Sequence, residues 1–272
     1  MRITIAGYGS IGHYIESVFG RGNQVAVYDP PMGYGCRSDL VDTDFVFICV
    51  PTQPREDGTC DTSIVEEVVR LARPRAAIVC ESTVAVGTTE RLIRETGKPL
   101  VFVPEYAGEE AGHPFRDTGA RRFFIYGGYE PAASQVRDLY ASVYPDEADH
   151  FIVPPTTAEL VKYMENSFLA LKVAFCNEFF DLCDGFGVDY EQARQLWLQD
   201  WRIGESHTLV TPERGYGGKC LPKDVAAICA TGREAGIPMD LMEAVQHANL
   251  RHRASGLEAG SGAAQPEPAG RR

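Results

Sequence analysis

Cys220 stands in the segment ERGYGGKCLPKD, where glycines at 215, 217 and 218 give a loop able to close over a ligand. Pro222 suits the first turn of a helix, which sets Cys220 close to a helix N-terminus between Lys219 and Lys223. Positive partial charge there favours the thiolate, the nucleophilic form of cysteine. Asp224 follows four residues on. The other cysteines, such as Cys49 in FVFICV and Cys80 in AAIVC, read as quiet buried thiols. No C-x-x-C occurs, and no metal site is assigned. Lys162 and Asn166 are four apart in ELVKYMENSF and share one face of a helix. Alone, such a pair describes a solvated face, and Lys172 is an ordinary basic residue on the same stretch.

A second constellation lies at the start of the chain. Gly7-Tyr8-Gly9-Ser10-Ile11-Gly12 matches G-x-G-x-x-G, after a strand-like RITIA and before a helical pattern. Gly7 permits a tight turn, Gly9 lets the backbone approach a pyrophosphate, and Gly12 lets helix and strand pack closely. The phosphates then meet free N–H groups at the helix N-terminus. Asp29 comes 22 residues after Gly7, at the end of the next strand-like run. It is placed to accept hydrogen bonds from ribose hydroxyls and to repel a 2′-phosphate, which selects NAD over NADP.

The elements that must hold these residues follow from periodicity. Strands are expected over 2–6, 24–29, 44–50, 76–82, 99–105 and 122–128, with helices from Ser10 to about Val18 and from Thr62 to Leu71. Near-continuous apolar runs such as DFVFICV belong to strands buried on both faces. Strands alternating with helices predict an α/β fold, a Rossmann doubly wound parallel sheet. Residues 157–186 form one long helical pattern, with more helices after it. The expected division is 1–155 as an NAD-binding Rossmann domain, 156–253 as an all-helical dimerisation and substrate domain, and 254–272 as a disordered tail rich in Gly, Ala and Pro.

The bulk numbers narrow the class. Hydrophobic residues make up 44% and charged residues 24% of the 272, an ordinary globular composition. The formal net charge of −12 sets aside a nucleic-acid binder. No apolar run approaches the ~20 residues of a membrane span. The thiols and the direct start in a strand, with no charged-then-apolar leader, point to a reducing cytoplasm.

GYGGKCLPKD resembles the G-[FY]-G-G-S-C-[FL]-x-K-D signature of the UDP-glucose and GDP-mannose dehydrogenase family. Other landmarks are similar and in order. Val50-Pro51-Thr52 resembles V-P-T-P, residues 82–89 resemble S-T-V-P-V-G-T-T, and Pro104 to Glu109 resembles P-E-F-L-x-E. Glu159 through Asn166 resembles E-L-I-K-Y-x-x-N, and Arg202-Ile203-Gly204 resembles R-I-G. The match spans about residues 1–252. The resemblance implies that NAD takes a hydride from a primary alcohol of a sugar or sugar nucleotide. Cys220 then attacks the aldehyde, a second NAD takes a second hydride, and water hydrolyses the thioester to a carboxylate. Lys162 and Asn166 would stabilise the oxyanion. Thr83 and Asp224 would hold a water, Glu105 would be the base for hydrolysis, and Thr83 would join Val50, Pro51 and Thr52 at the cofactor. Glu109, Arg202, Tyr216, Gly217 and Lys219 would face substrate. Arg202 reaches a neighbouring subunit in the family, so a homodimer through the long helix is implied.

Three departures bear on the substrate. The family has a third domain gripping the nucleotide, whereas here a low-complexity tail follows. A smaller substrate, such as a sugar phosphate or nucleoside derivative, or a separate protein supplying the missing wall, is the resulting expectation. Lys219 replaces the usual Ser and can bind a phosphate or carboxylate. YAGEEAGH departs from the family after Glu105. Two other readings remain open: a two-electron β-hydroxyacid-type dehydrogenase, which needs no cysteine nucleophile, and a non-catalytic NAD-binding partner subunit.

Overall fold

The computed structural model describes residues 1–107, 114–116 and 120–262. The chain divides into two compact units, Met1–Lys162 and the remainder from Tyr163. Each has its own core.

The first unit is a seven-stranded sheet with helices on both faces. Its elements are β1 (Arg2–Ala6), α1 (Ser10–Phe19), β2 (Gln24–Tyr28), β3 (Phe45–Ile48), α2 (Ser63–Leu71), β4 (Ala77–Cys80), α3 (Thr88–Thr96), β5 (Leu100–Phe102), β6 (Phe123–Gly127), α4 (Ala132–Ala141) and β7 (Asp149–Val153). The spatial order is β2-β1-β3-β4-β5-β6-β7. Side chains alternate across each strand. Ile3, Ile5, Phe45 and Phe47 pack with α1 and α4 on one face. Val46, Ile48, Ile78 and Cys80 pack with α2 and α3 on the other. A strand such as β3, with all four residues buried, must therefore be apolar throughout. On α2 the valines at 65, 68 and 69 recur at helical spacing and are the residues it buries, each contributing about 1.5–3 kcal/mol.

The sheet departs from a wholly parallel one. β1 to β5 are parallel neighbours, but β6 pairs antiparallel with β5 through Phe102 and Gly127, and β7 pairs parallel with β6. Between β5 and β6 the described residues hold only a 3-10 turn at Pro114–Arg116. β7 was not anticipated from the sequence. It is an edge strand with one neighbour and largely half-exposed residues, so it lacks the apolar run of an inner strand.

The second unit is helical: most of α5 (Pro155–Gly185), then α6 (Tyr190–Trp197), α7 (Cys220–Ala235) and α8 (Asp240–Gly262). The division between the units falls within α5, after Lys162, rather than at its start. Ala170, Ala174, Val225, Cys229, Met242 and Val245 form the core of this unit. Residues 254–262, expected as tail, continue α8 instead. His252 is buried on that helix. Gly256 lies so close to the 212–213 backbone that a Cβ would approach Glu213 O to 2.4 Å. Gly256 is thus closely packed within a stretch whose composition alone suggests disorder. Among the described residues no helix is long and apolar enough to cross a membrane.

Candidate active site

In the first unit, the glycine fingerprint forms the turn from β1 into α1. Gly7 has φ +89°, and a Cβ there would come within 2.6 Å of Cys49 O. At Gly12 a Cβ would meet Gly7 O at 2.3 Å. These two glycines are required by the protein's own packing. Gly9 is not: a Cβ there meets nothing within 4 Å, so a small residue at that position leaves room for an approaching ligand. Gly9 is the N-cap of α1 and makes no side-chain cap bond. Ser10 and Ile11 open the helix, whose first N–H groups suit an anion.

Asp29 ends β2 beside this turn. Its Oδ2 accepts Tyr8 N at 2.8 Å, and its side chain also caps a 3-10 turn by accepting from Met32 N. The carboxylate is thereby fixed next to the fingerprint, where ribose hydroxyls are bound in dinucleotide folds. Because β2 and β3 lie on opposite sides of β1, the turn occupies the topological switch point of the sheet, the place where such sheets bind ligands.

The loops after β3 and β4 line the same edge and are tied together. Thr52 Oγ1 donates to Thr83 O at 2.7 Å, and Ser82 Oγ donates to Val50 O at 2.7 Å. Val50 and Thr52 are buried, whereas Pro51 is exposed. Glu105, after β5, accepts Tyr106 N at 2.6 Å and also Ala107 N on the same oxygen. Its Oε2 lies 3.5 Å from Arg121 Nη1. Lys162 is 8% exposed, and its ammonium stands 4.5 Å from the centroid of the Tyr106 ring, a cation–π geometry. Glu109 lies outside the described residues.

In the second unit, Cys220 is the first residue of α7 with Lys219 as its N-cap, as Pro222 predicted. Cys220 and Lys219 are both exposed. Asp224, one turn on, is 1% exposed. It accepts Asn166 Nδ2 on one oxygen and Lys223 Nζ, at 2.7 Å, on the other. Asn166, 5% exposed on α5, follows Lys162 by one helical turn. The glycine loop is pinned rather than free. Asn249 of α8 accepts Tyr216 N at 2.6 Å and donates to Tyr216 O at 3.0 Å. Gly215, at φ +59°, leaves no space for a Cβ against Asn249 Oδ1. The Tyr216 ring is buried in the apolar core of this unit, and Gly217 lies against the Arg253 guanidinium. Arg202 is exposed and pairs with Asp200, which raises its pKa.

Four features escaped the sequence reading. Arg116 Nη2 donates to Ser10 Oγ at 2.5 Å, across 106 positions. Glu159 accepts Gly87 N and Thr89 N, at 2.5 and 2.8 Å, and so caps α3. Burial raises its pKa, against those hydrogen bonds. Asn249 holds the cysteine loop. Glu81 and Arg121 are buried near Glu105. No local motif marks these contacts, because each joins residues distant in sequence, although Glu159 itself opens the E-L-I-K-Y-x-x-N landmark. The thiols at 60, 80, 176 and 229 are buried, and Cys49 and Cys183 partly so, but Cys36 is exposed beside Ser38 and Asp39. It sits in a glycine-flanked surface turn rather than a strand. Among the described residues no cluster of three or more His, Cys, Asp or Glu is placed to hold a metal.

Comparison with known proteins gives consistent results. Residues 35–144 match the NAD binding domain of the UDP-glucose/GDP-mannose dehydrogenase family, and residues 156–251 match its central domain. A UDP-glucose 6-dehydrogenase of Pseudomonas aeruginosa is 34% identical over 230 residues, 79% of this chain and 50% of that protein. The chain spans about half the length of the curated relatives it matches. A UDP-glucose dehydrogenase from Pyrobaculum islandicum superposes with a TM-score of 0.81 at 28% identity, over 92% of this chain and 68% of that one. A 3-hydroxyisobutyrate dehydrogenase of Mycobacterium tuberculosis superposes at 0.71 with 16% identity, over 97% and 99% of the two chains, a likeness of fold alone.

Proposed function

The chain belongs to the UDP-glucose/GDP-mannose dehydrogenase family and carries its NAD-binding domain, and from that premise we propose that it oxidises a primary alcohol of a sugar or sugar nucleotide to a carboxylate through a covalent intermediate on Cys220. The observation that carries this reading is the cluster at the start of α7. An exposed cysteine opens the helix, and one turn later a buried aspartate grips Asn166 and Lys223.

The fingerprint turn and Asp29 suit NAD: they offer open space at Gly9, the N-terminus of a helix and a fixed carboxylate. NAD, when bound, accepts the hydrides that the two oxidations release. Cys220 supplies the nucleophile. Its sulfur adds to the aldehyde carbon, and loss of hydride from that adduct leaves a thioester. Water cleaves the thioester, the carboxylate departs and the thiol returns. Lys162 and Asn166 donate to the oxygen that gains charge at each addition. Asp224 orients Asn166 by accepting from its amide, and together with Thr83 holds a water. Glu105, pinned by two backbone amides, takes the proton of the hydrolytic water. Arg202, Gly217 and Lys219 contribute to substrate selection, Lys219 by offering an exposed cation to an anionic group, while Tyr216, expected to face substrate, instead anchors the loop with its ring in the core.

A homodimer belongs to the same reading. Met164, Phe168, Phe175, Phe179 and Leu182 recur at spacings of four, seven, four and three along α5, and all are exposed, Met164 to 70%. Such a stripe is what a helix presents to a partner. A second copy supplies an identical stripe, the arrangement of a twofold dimer, and brings Arg202 of one copy toward the site of the other.

The test is incubation with NAD and UDP-sugars, GDP-mannose, sugar phosphates and nucleoside monophosphates, followed by NADH absorbance and product mass. Two NADH and a gain of about 14 mass units (CH2OH to COOH) per product are expected. Cys220→Ser is expected to retain NAD binding and lose carboxylate formation. Carboxylate made at the native rate by that variant, or one NADH with a loss of about two mass units, would falsify the covalent scheme.

A further inference from the structure

Glu81 directly follows β4 and is 5% exposed. Tyr140 of α4 donates its hydroxyl to Glu81 Oε1. Glu81 Oε2 has no hydrogen-bond partner among the described residues. The Glu105 carboxylate acts on Glu81 electrostatically. Its own side chain is 7% exposed, and that of its ion-pair partner Arg121 is 0% exposed. Arg121 is held in place by Pro104 O and Phe123 O and stands over the Phe124 ring. Among the described residues, the other titratable groups facing these carboxyls include the thiols of Cys49 and Cys80 and the hydroxyls of Tyr14, Tyr140 and Tyr144. None of these bears a positive charge, and the Lys162 ammonium stands over the ring of Tyr106, next to Glu105. The cation that acts on Glu81 is Arg121, which also pairs with Glu105.

Charge counting decides the protonation. One carboxylate is matched by Arg121. A second anion, without a cation and with an oxygen lacking any donor, would be stranded in an apolar interior, where such groups take up a proton instead. Glu105 has what an anion needs: two backbone N–H groups and Arg121. Glu81 has one phenol. We propose that Glu81 is a neutral acid at neutral pH and acts as a positioning residue that confines the single negative charge of the cluster to Glu105. Burial first, and then the charge of Glu105, pushes its carboxyl well above the ordinary range. The functional consequence, a Glu105 kept anionic to take a proton from water, rests on the role given to Glu105 above.

Infrared spectroscopy of the full chain in heavy water at neutral pH tests this directly. Buried protonated carboxyls absorb apart from carboxylates. The native protein is expected to show such a band, and Glu81→Gln to lose intensity from it. Glu159→Gln, at another buried glutamate, serves as the control and should leave the Glu81 band in place. No acid band in the native protein, or a band unchanged in Glu81→Gln, overturns the proposal. Should Glu81→Gln fail to fold, Tyr140→Phe keeps the acid and removes its hydrogen bond. A shift of the Glu81 band to higher frequency is then expected, and an unmoved spectrum overturns the proposal. Glu105→Gln separates the two readings. If the acid band behaves as expected while that variant forms carboxylate at the native rate, the charge assignment stands and the base role of Glu105 falls.

Discussion

Asp224 shows how one buried side chain sets several others. Both its oxygens are engaged, by the Asn166 amide and the Lys223 ammonium, so neither donor is left to wander. Asn166 is 5% exposed, and an amide buried without its acceptor costs about 1–3 kcal/mol. Asp224→Ala is thus expected to lower the melting temperature and to reduce carboxylate formation by about 10²-fold or more, as loss of an oxyanion donor does. Calorimetry and NADH kinetics on the same preparation check both. A variant with native stability and native rate would show that the pairing is incidental. On the sequence, the Lys-x-x-x-Asn spacing was visible. That Asp224 is the acceptor was not, because 58 positions separate it from Asn166.

α5 does three things that no shorter element could. Its first turns contribute Glu159 as the cap of α3 and bury Lys162 in the first unit. Its middle carries Asn166 and the small core residues Ala170 and Ala174. Its outer face leaves the apolar stripe uncovered. The first two roles share one face and the stripe lies on the opposite one, as 3.6-residue periodicity allows. Phe168, 58% exposed, tests the stripe. Phe168→Asp places a charge where two copies would meet and touches no core position. Light scattering is expected to report two chains for the native protein and one for the variant, with secondary structure unchanged by circular dichroism. A variant that remains dimeric places the interface elsewhere.

The whole molecule carries a formal net charge of −12, so further buried negative charge is poorly tolerated. Two internal carboxyls, Glu81 and Glu159, both have raised pKa values, with burial as the largest cause of each. The sign follows from linkage. An acid whose folded value exceeds its unfolded value binds its proton more tightly when folded. Its stabilising contribution is complete below the unfolded value, about 4.3 for Glu, and is lost as pH rises through the folded value. Stability is therefore expected to fall on raising the pH above the ordinary glutamate range, and less steeply in Glu81→Gln. Melting temperatures across that window check this. A native protein whose stability rises with pH there would contradict it. The carboxylates with lowered values, including Asp44, Asp57 and Asp200, are on or near the surface, where solvent screening leaves them little weight.

Local and periodic features were legible in the sequence for physical reasons. A strand buried on both faces must be apolar at every position, as β3 is, and a site where a Cβ would come within 2.6 Å of Cys49 O demands glycine at position 7. Pro222 similarly announces the start of α7. These requirements act within a few residues, or through close approach of backbone to a glycine, so residue type alone records them. The tertiary structure decided the rest. It reversed β6 and β7 against the other strands, extended α8 to Gly262 and pinned the cysteine loop through Asn249. It also brought two glutamates to one arginine. Each of these depends on which distant side chain fills a space or completes a hydrogen bond, and the chain acquires that information only when it packs.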